Sequence, residues 1–150
     1  MKIRTLTKRD AVADPYCVWN AFVDLLAMED YQDLTPVQRA AHLVFWYESE
    51  VQNGGHLQFF ENRGAEYLRE TVEALGQLGA VCQQRVLQEA VAIWLSRVRP
   101  RIETVEEFCE VAIEEEFAAL DSRFAECDPP LQTKLEEYLS RRQSSFVVIA

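Results

Sequence analysis

Apolar residues recur at spacings of three and four along most of the chain, the period of helices with one buried face. Asp14-Pro15 reads as N-cap and first residue of a helix running to about Tyr31, with Trp19, Phe22, Val23 and Leu26 on its apolar side. Thr35-Pro36 repeats that start. The helix it opens carries Ala40, Val44, Tyr47 and Val51 and meets Asn53-Gly54-Gly55, where positive φ, expected at Gly54, closes it. His56 to Arg63 forms a short helix stopped by Gly64, and Ala65 to Leu78 another, with Leu68, Val72, Leu75 and Leu78 in register before Gly79. Ala80 to Ser96 is helical and RVRPRIE is a linker; Thr104 and Glu107 then make a capping box that starts one long helix to about Glu126. Asp128-Pro129 opens the last helix, whose buried stripe is Leu131, Leu135, Tyr138 and Leu139. The tail SSFVVIA is a short apolar end that packs back or pairs, and no longer segment has strand period. The expected fold is all-α, a single compact domain of about six or seven helices over residues 1–150.

A chain of 150 residues buries about two thirds of its unfolded surface and needs no staples. With 49% apolar residues and only five Gly and five Pro, it is not a disordered segment. The N-terminus MKIRTLTKRDAVADPY lacks the apolar core of a secretion signal, and no run of about 18 apolar residues occurs. A cytoplasmic protein without membrane insertion is expected. Cys17, Cys82, Cys109 and Cys127 fall in no redox or zinc spacing, so reduced, mostly buried thiols are expected.

Charge changes the picture, because the net −10 is unevenly placed. Residues 1–102 hold 13 acidic and 11 basic residues, whereas Glu103 to Glu137 holds 12 acidic and 2 basic. On one continuous helix Glu103, Glu106, Glu107, Glu110, Glu114 and Asp121 fall within a sector about 100° wide, opposite Val105, Phe108, Cys109, Ala112, Ala119 and Leu120. This stripe holds no lysine or arginine. Like charges at these spacings repel by a few tenths of a kcal/mol per pair, which ordinary surface helices relieve with Glu-Lys pairs. Solvation of an amphipathic helix explains such a face in part; an unrelieved stripe also fits a basic partner protein. One stripe is more dilute than a duplex, so Asp24, Glu29, Asp30 and Asp33, or Glu136 and Glu137, or a second copy of the chain, are candidates to extend it. Direct nucleic-acid binding is disfavoured by the net charge and the scattered basic residues.

Candidate chemistry is sparse. His42, Glu48, Glu50 and His56 are competent metal ligands, but Glu48 and Glu50 lie about 200° apart on one helix and cannot both face one ion there. No catalytic triad order, activated cysteine or phosphate-cradling loop stands out. No metal, cofactor or catalytic residue is therefore expected, and the protein is read as not an enzyme. Glu116 sits among apolar positions with Arg123 two turns on, which points to a carboxylate paired within the fold, with the glycine corner as one place for it to act.

The remaining signal is a motif. Tyr47, Glu50, Val51, Asn53-Gly54-Gly55, Gln58-Phe59-Phe60, Asn62 and Gly64, then Ala74-Leu75, Gly79-Ala80, Leu120-Asp121 and Phe124, resemble the signature of a bacterial family of small all-helical domains of unknown function that includes a DNA-mimic protein. The resemblance spans roughly Tyr16 to Phe146; His56 replaces a more usual aromatic residue and Arg63 a small polar one. It implies an acidic surface presented, as a homodimer, to a helix-turn-helix transcription regulator. In the motif itself, Asn53, Gln58 and Asn62 have amides suited to backbone groups freed at helix ends, and Phe59 and Phe60 suit anchoring in the core. Architecture is the favoured role there, over a small-ligand pocket at Glu50, Asn53, His56 and Gln58. The functional expectation is an acidic protein-binding module that competes with DNA for a basic DNA-binding protein. An immunity-type inhibitor of a toxin nuclease is the alternative.

Overall fold

The computed structural model describes residues 1–150 except the side chain of Ile113. Strand β1 (Arg4–Leu6) is followed by α1 (Lys8–Ala13), α2 (Cys17–Met28), a 3-10 turn (Tyr31–Asp33), α3 (Pro36–Arg63) and α4 (Leu68–Gln77). Then come α5 (Val81–Leu95), α6 (Val105–Ile113), α7 (Ala118–Glu126), α8 (Leu131–Arg142) and β2 (Val147–Ile149). The all-α expectation holds apart from the two short strands. No helix among the described residues is long and apolar enough to cross a membrane.

Caps explain most of the boundaries. Thr35 and Gln38 form a reciprocal capping box with Pro36 inside it, satisfying donors that a helix start leaves free. Asp14 does not cap α2 directly: its carboxylate accepts from Tyr16 N–H at 2.8 Å, and the helix begins at Cys17. That helix stops at Met28, short of Tyr31, because Glu29 turns extended and its carboxylate is held by Arg4 and Lys2. Helix α4 starts at Leu68 instead of Ala65, behind Tyr67 in the left-handed region. Pro130, beyond Asp128-Pro129, is the N-cap of α8.

Helix α3 is the axis of the molecule and packs against α2, α4, α7 and α8. Phe22, Leu25, Val44, Tyr47, Phe60, Leu75, Leu87, Leu131 and Phe146 meet around it, each at most 1% exposed. The tail returns to the N-terminus as a parallel pair, Thr5 opposite Val148. Buried Gln38 ties this pair to α3 by donating to the Lys2 and Ser145 carbonyls at 2.6 and 2.8 Å. Its amide thereby satisfies two chain ends that would otherwise be costly to bury.

Two expectations need correction. The long helix from Thr104 is interrupted: α6 ends at Ile113, Glu115 adopts φ 53°, and α7 begins at Ala118. Cys82 and Cys127 form a disulfide between α5 and the end of α7, whereas Cys109 is exposed and Cys17 half-buried. Spacing read along the chain misses such a pair because its partners are 45 residues apart.

Candidate functional site

The sharpest local feature is the bend within α3. Gly54 has φ −150°, open to any residue, and Gly55 has φ 71° and ψ −174°, a conformation essentially reserved for glycine. The positive φ thus lies at Gly55, one residue beyond the expected position. Gly54 is required for a different reason, since a Cβ there would stand 2.8 Å from the Gln58 Cβ. Glu50 and Asn62 would be about 18 Å apart on a straight helix, yet Asn62 Nδ2 donates to Glu50 Oε2 at 2.8 Å. Gln58 Nε2 donates to the same oxygen at 2.8 Å, and Asn53 donates to Gln58 Oε1 at 3.2 Å. The three amides therefore serve the buried Glu50 carboxylate, and each other, in place of freed backbone groups. Phe59 and Phe60 anchor the short arm in the core as expected.

The backbone groups at the bend find Asp121. Its Oδ1 accepts from His56 N–H at 2.9 Å and lies 2.6 Å from His56 Nδ1, while Tyr47 Oη lies 2.8 Å from His56 Nε2. A neutral imidazole satisfies this chain completely, with Nδ1–H donating to Asp121 and Nε2 accepting from Tyr47. Tyr47 and His56 are both fully buried, and burial pushes the Tyr47 phenol well above its usual range, followed by the Asp121 charge. The array is internally closed and braces α3 against α7. Glu116 has no part in it.

The acidic stripe is consequently not one surface. Asp121 belongs to the corner, and the break after α6 removes the common helix on which it aligned with the glutamates. Glu114 pairs with Arg97 at 3.2 Å and Glu103 with Arg101 at 3.3 Å, so the linker supplies cations that the stripe lacks. Glu116 accepts bidentate bonds from Arg99, both at 2.7 Å, and another from Arg97. The Arg99 bonds, with Arg97 adding, hold its carboxyl down to about 2 against partial burial. Arg123 pairs with Glu89, not with Glu116. Asp24 and Glu29 are neutralised by Arg4 and Lys2, and Glu137 by Lys134. Of the stripe itself, Glu106, Glu107 and Glu110 on α6 stay without a basic partner among the described residues, as do Asp30, Asp33 and Glu136 among the candidates to extend it. Glu107 caps from within, accepting from Glu103 N–H at 2.8 Å, while its own N–H donates to Thr104 Oγ1.

The candidate metal ligands are separated. His56 lies in the corner; His42 lies against Tyr31 and Trp46, where burial, followed by the Arg63 charge, pushes its imidazole down to about 4.

A family model described as DMP19-like protein matches residues 32–142, a span that contains the corner, α6, α7 and α8. No curated protein and no solved structure matches the chain.

Proposed function

The chain belongs to the DMP19-like protein family, and on that premise we propose that it is an acidic protein-binding module that takes the place of DNA on the basic surface of a DNA-binding protein. The observation that carries this reading is a concentration on one short helix: Glu106, Glu107 and Glu110 lie close together on α6 without an arginine or lysine partner among the described residues, whereas Glu103, Glu114 and Glu116 on either side are met by arginines of the linker. From Glu106 to Glu114, the last held by Arg97, the rise is about 12 Å, so the three carboxylates without a basic partner come to about one per 4 Å against one phosphate per about 1.7 Å of duplex. A second copy of the chain, as a homodimer, would bring that density to a duplex-like value. The fitting partner is a basic groove built for a nucleic-acid backbone, such as that of a helix-turn-helix transcription regulator in the cytoplasm. Architecture, neither binding nor catalysis, is the reading of the corner, since its polar groups are already taken by one another.

The test compares the wild type with Glu106→Gln, Glu107→Gln and Glu110→Gln combined, first for capture of a DNA-binding protein at low and high salt and then for displacement of that protein from its operator. The combined variant should bind more than about tenfold more weakly, mainly through a slower association rate, and the difference should shrink as salt rises. Equal displacement by the two proteins would reduce this face to ordinary solvation, and capture of a nuclease in place of a regulator would favour the inhibitor reading.

A further inference from the structure

Helix α6 carries the acidic face but owes little of its position to the core. None of its described residues is buried: Phe108 and Val111 reach the core only in part, and Val105 is 76% exposed. At nine residues it is also shorter than the roughly 12–15 residues below which a helix on its own is marginal in water. The Thr104 cap satisfies its first turn but sets no direction. What directs α6 must act at its two ends, the linker after Leu95 and the break before Ala118.

Arg99 joins those ends. Its guanidinium holds the Glu116 carboxylate with two bonds of 2.7 Å and also donates to the Trp94 and Ile93 carbonyls, in the last turn of α5, at 3.0 and 3.1 Å. It lies 4.7 Å from the Trp94 ring centroid and 5.5 Å from that of Phe117, and its side chain is only 9% exposed. Trp94 in turn stacks on buried Phe60 at 4.8 Å, which anchors the arrangement to the short arm of α3. Arg97 adds outer bonds to Glu114 and Glu116 at 3.2 and 3.1 Å. We infer that Arg99 is the positioning residue of the acidic face: by holding Glu116 it closes the loop of residues 96–117 at its base and fixes the direction in which Glu106, Glu107 and Glu110 meet a basic partner. The inference rests on the reading of α6 as the partner-binding surface.

Charge alone gives the opposite sign. Arg99→Met makes the net charge one more negative than −10 and releases Glu116 beside the face, so attraction to a cationic surface should grow. Loss of direction should instead disperse the carboxylates and weaken binding. Lysine cannot take over at this position, because one ammonium lacks the planar fork that reaches a carboxylate and two carbonyls together.

The experiment uses the full chain and, as probe, a synthetic helical peptide with one lysine face, the shape of a recognition helix. Hydrogen exchange is measured without the probe and affinity with it. In Arg99→Met and Arg99→Lys the amides of residues 105–117 should exchange about tenfold faster or more, the scale of a lost charge-assisted bond, while those of α2, α3 and α4 keep wild-type protection. Both variants should bind the probe about threefold more weakly or worse. Where neither folds, Glu116→Gln, which keeps the side-chain shape and loses the ionic bond, decides: faster α6 exchange with weaker binding supports the proposal, and wild-type values overturn it. Unchanged α6 exchange, exchange raised throughout the protein, or wild-type or tighter binding by either Arg99 variant would also overturn it. If Glu106→Gln, Glu107→Gln and Glu110→Gln combined bind the probe like wild type, the reading beneath the proposal fails and the proposal with it; loss in that variant without loss in Arg99→Met overturns the proposal alone.

Discussion

Replacing Gly55 by alanine isolates what holds the corner together. At φ 71° and ψ −174° an L-residue is strained by about 1–3 kcal/mol. The added Cβ would also stand 2.5 Å from Asp121 Oδ2 and 3.0 Å from its Cγ, so the carboxylate has to retreat. Retreat frees the His56 backbone N–H, bonded at 2.9 Å, and the His56 Nδ1–H, at 2.6 Å. Each of these left unpaired costs about 1–3 kcal/mol. The expected loss is therefore about 3–9 kcal/mol, a large part of the roughly 5–15 kcal/mol that stabilises a domain. For a chain of this size that lowers Tm by about 10 °C or more. Chemical denaturation of Gly55→Ala, Asp121→Ala and the double variant measures it. Because both changes break the same bonds, the double variant should be less destabilised than the sum of the singles. Strict additivity, or a Gly55→Ala variant within about 0.5 kcal/mol of wild type, would refute the claim that Asp121 acts by capping the bend.

Other outcomes follow from the same geometry. Asp121→Asn keeps an acceptor for His56 and lies off the α6 face, so in operator displacement it should behave as wild type, unlike the combined α6 glutamine variant. Glu116, whose carboxyl is held down to about 2 by Arg99 and then Arg97, contributes stability that is present above its ordinary value of 4.5 and lost as pH falls through about 2; denaturation between those pH values should be flattened by Glu116→Gln. His42, pushed down to about 4 from 6.5, stays neutral in the fold while the unfolded chain takes a proton, so its contribution is present above about pH 6.5 and lost as pH falls toward 4. NMR titration should show no His42 protonation above pH 5 or so, and His42→Phe should lose this part of the acid destabilisation. The disulfide closes a separation of 45 residues, worth about 4 kcal/mol by chain entropy; Cys82→Ser should lower Tm by about 10 °C in oxidising buffer and be indistinguishable from wild type under full reduction.

Helix positions were legible along the chain because they depend on neighbours: Thr35 and Gln38 are three residues apart, and the apolar face of α3 repeats every turn. The Gly54-Gly55 break and the clustering of acids after Ile102 are equally local facts. Periodicity carries no information about partners that meet only after folding. Asp121 sat on the expected acidic stripe by angle alone, and only the packing of α7 on α3 turned it toward His56, 65 residues away. The glutamates near it looked unrelieved because their arginines, Arg97, Arg99 and Arg101, lie in the preceding linker, which helical spacing does not place beside them. The Cys82–Cys127 bond, the pairing of the tail with Arg4–Leu6 and the contact of Arg63 on the Trp46 ring are likewise contacts that only the folded chain makes. Local sequence thus determined which segments are helical and how much charge the protein carries; tertiary structure decided which of those charges are cancelled, because Coulomb and hydrogen-bond energies depend on distance in space and not along the chain.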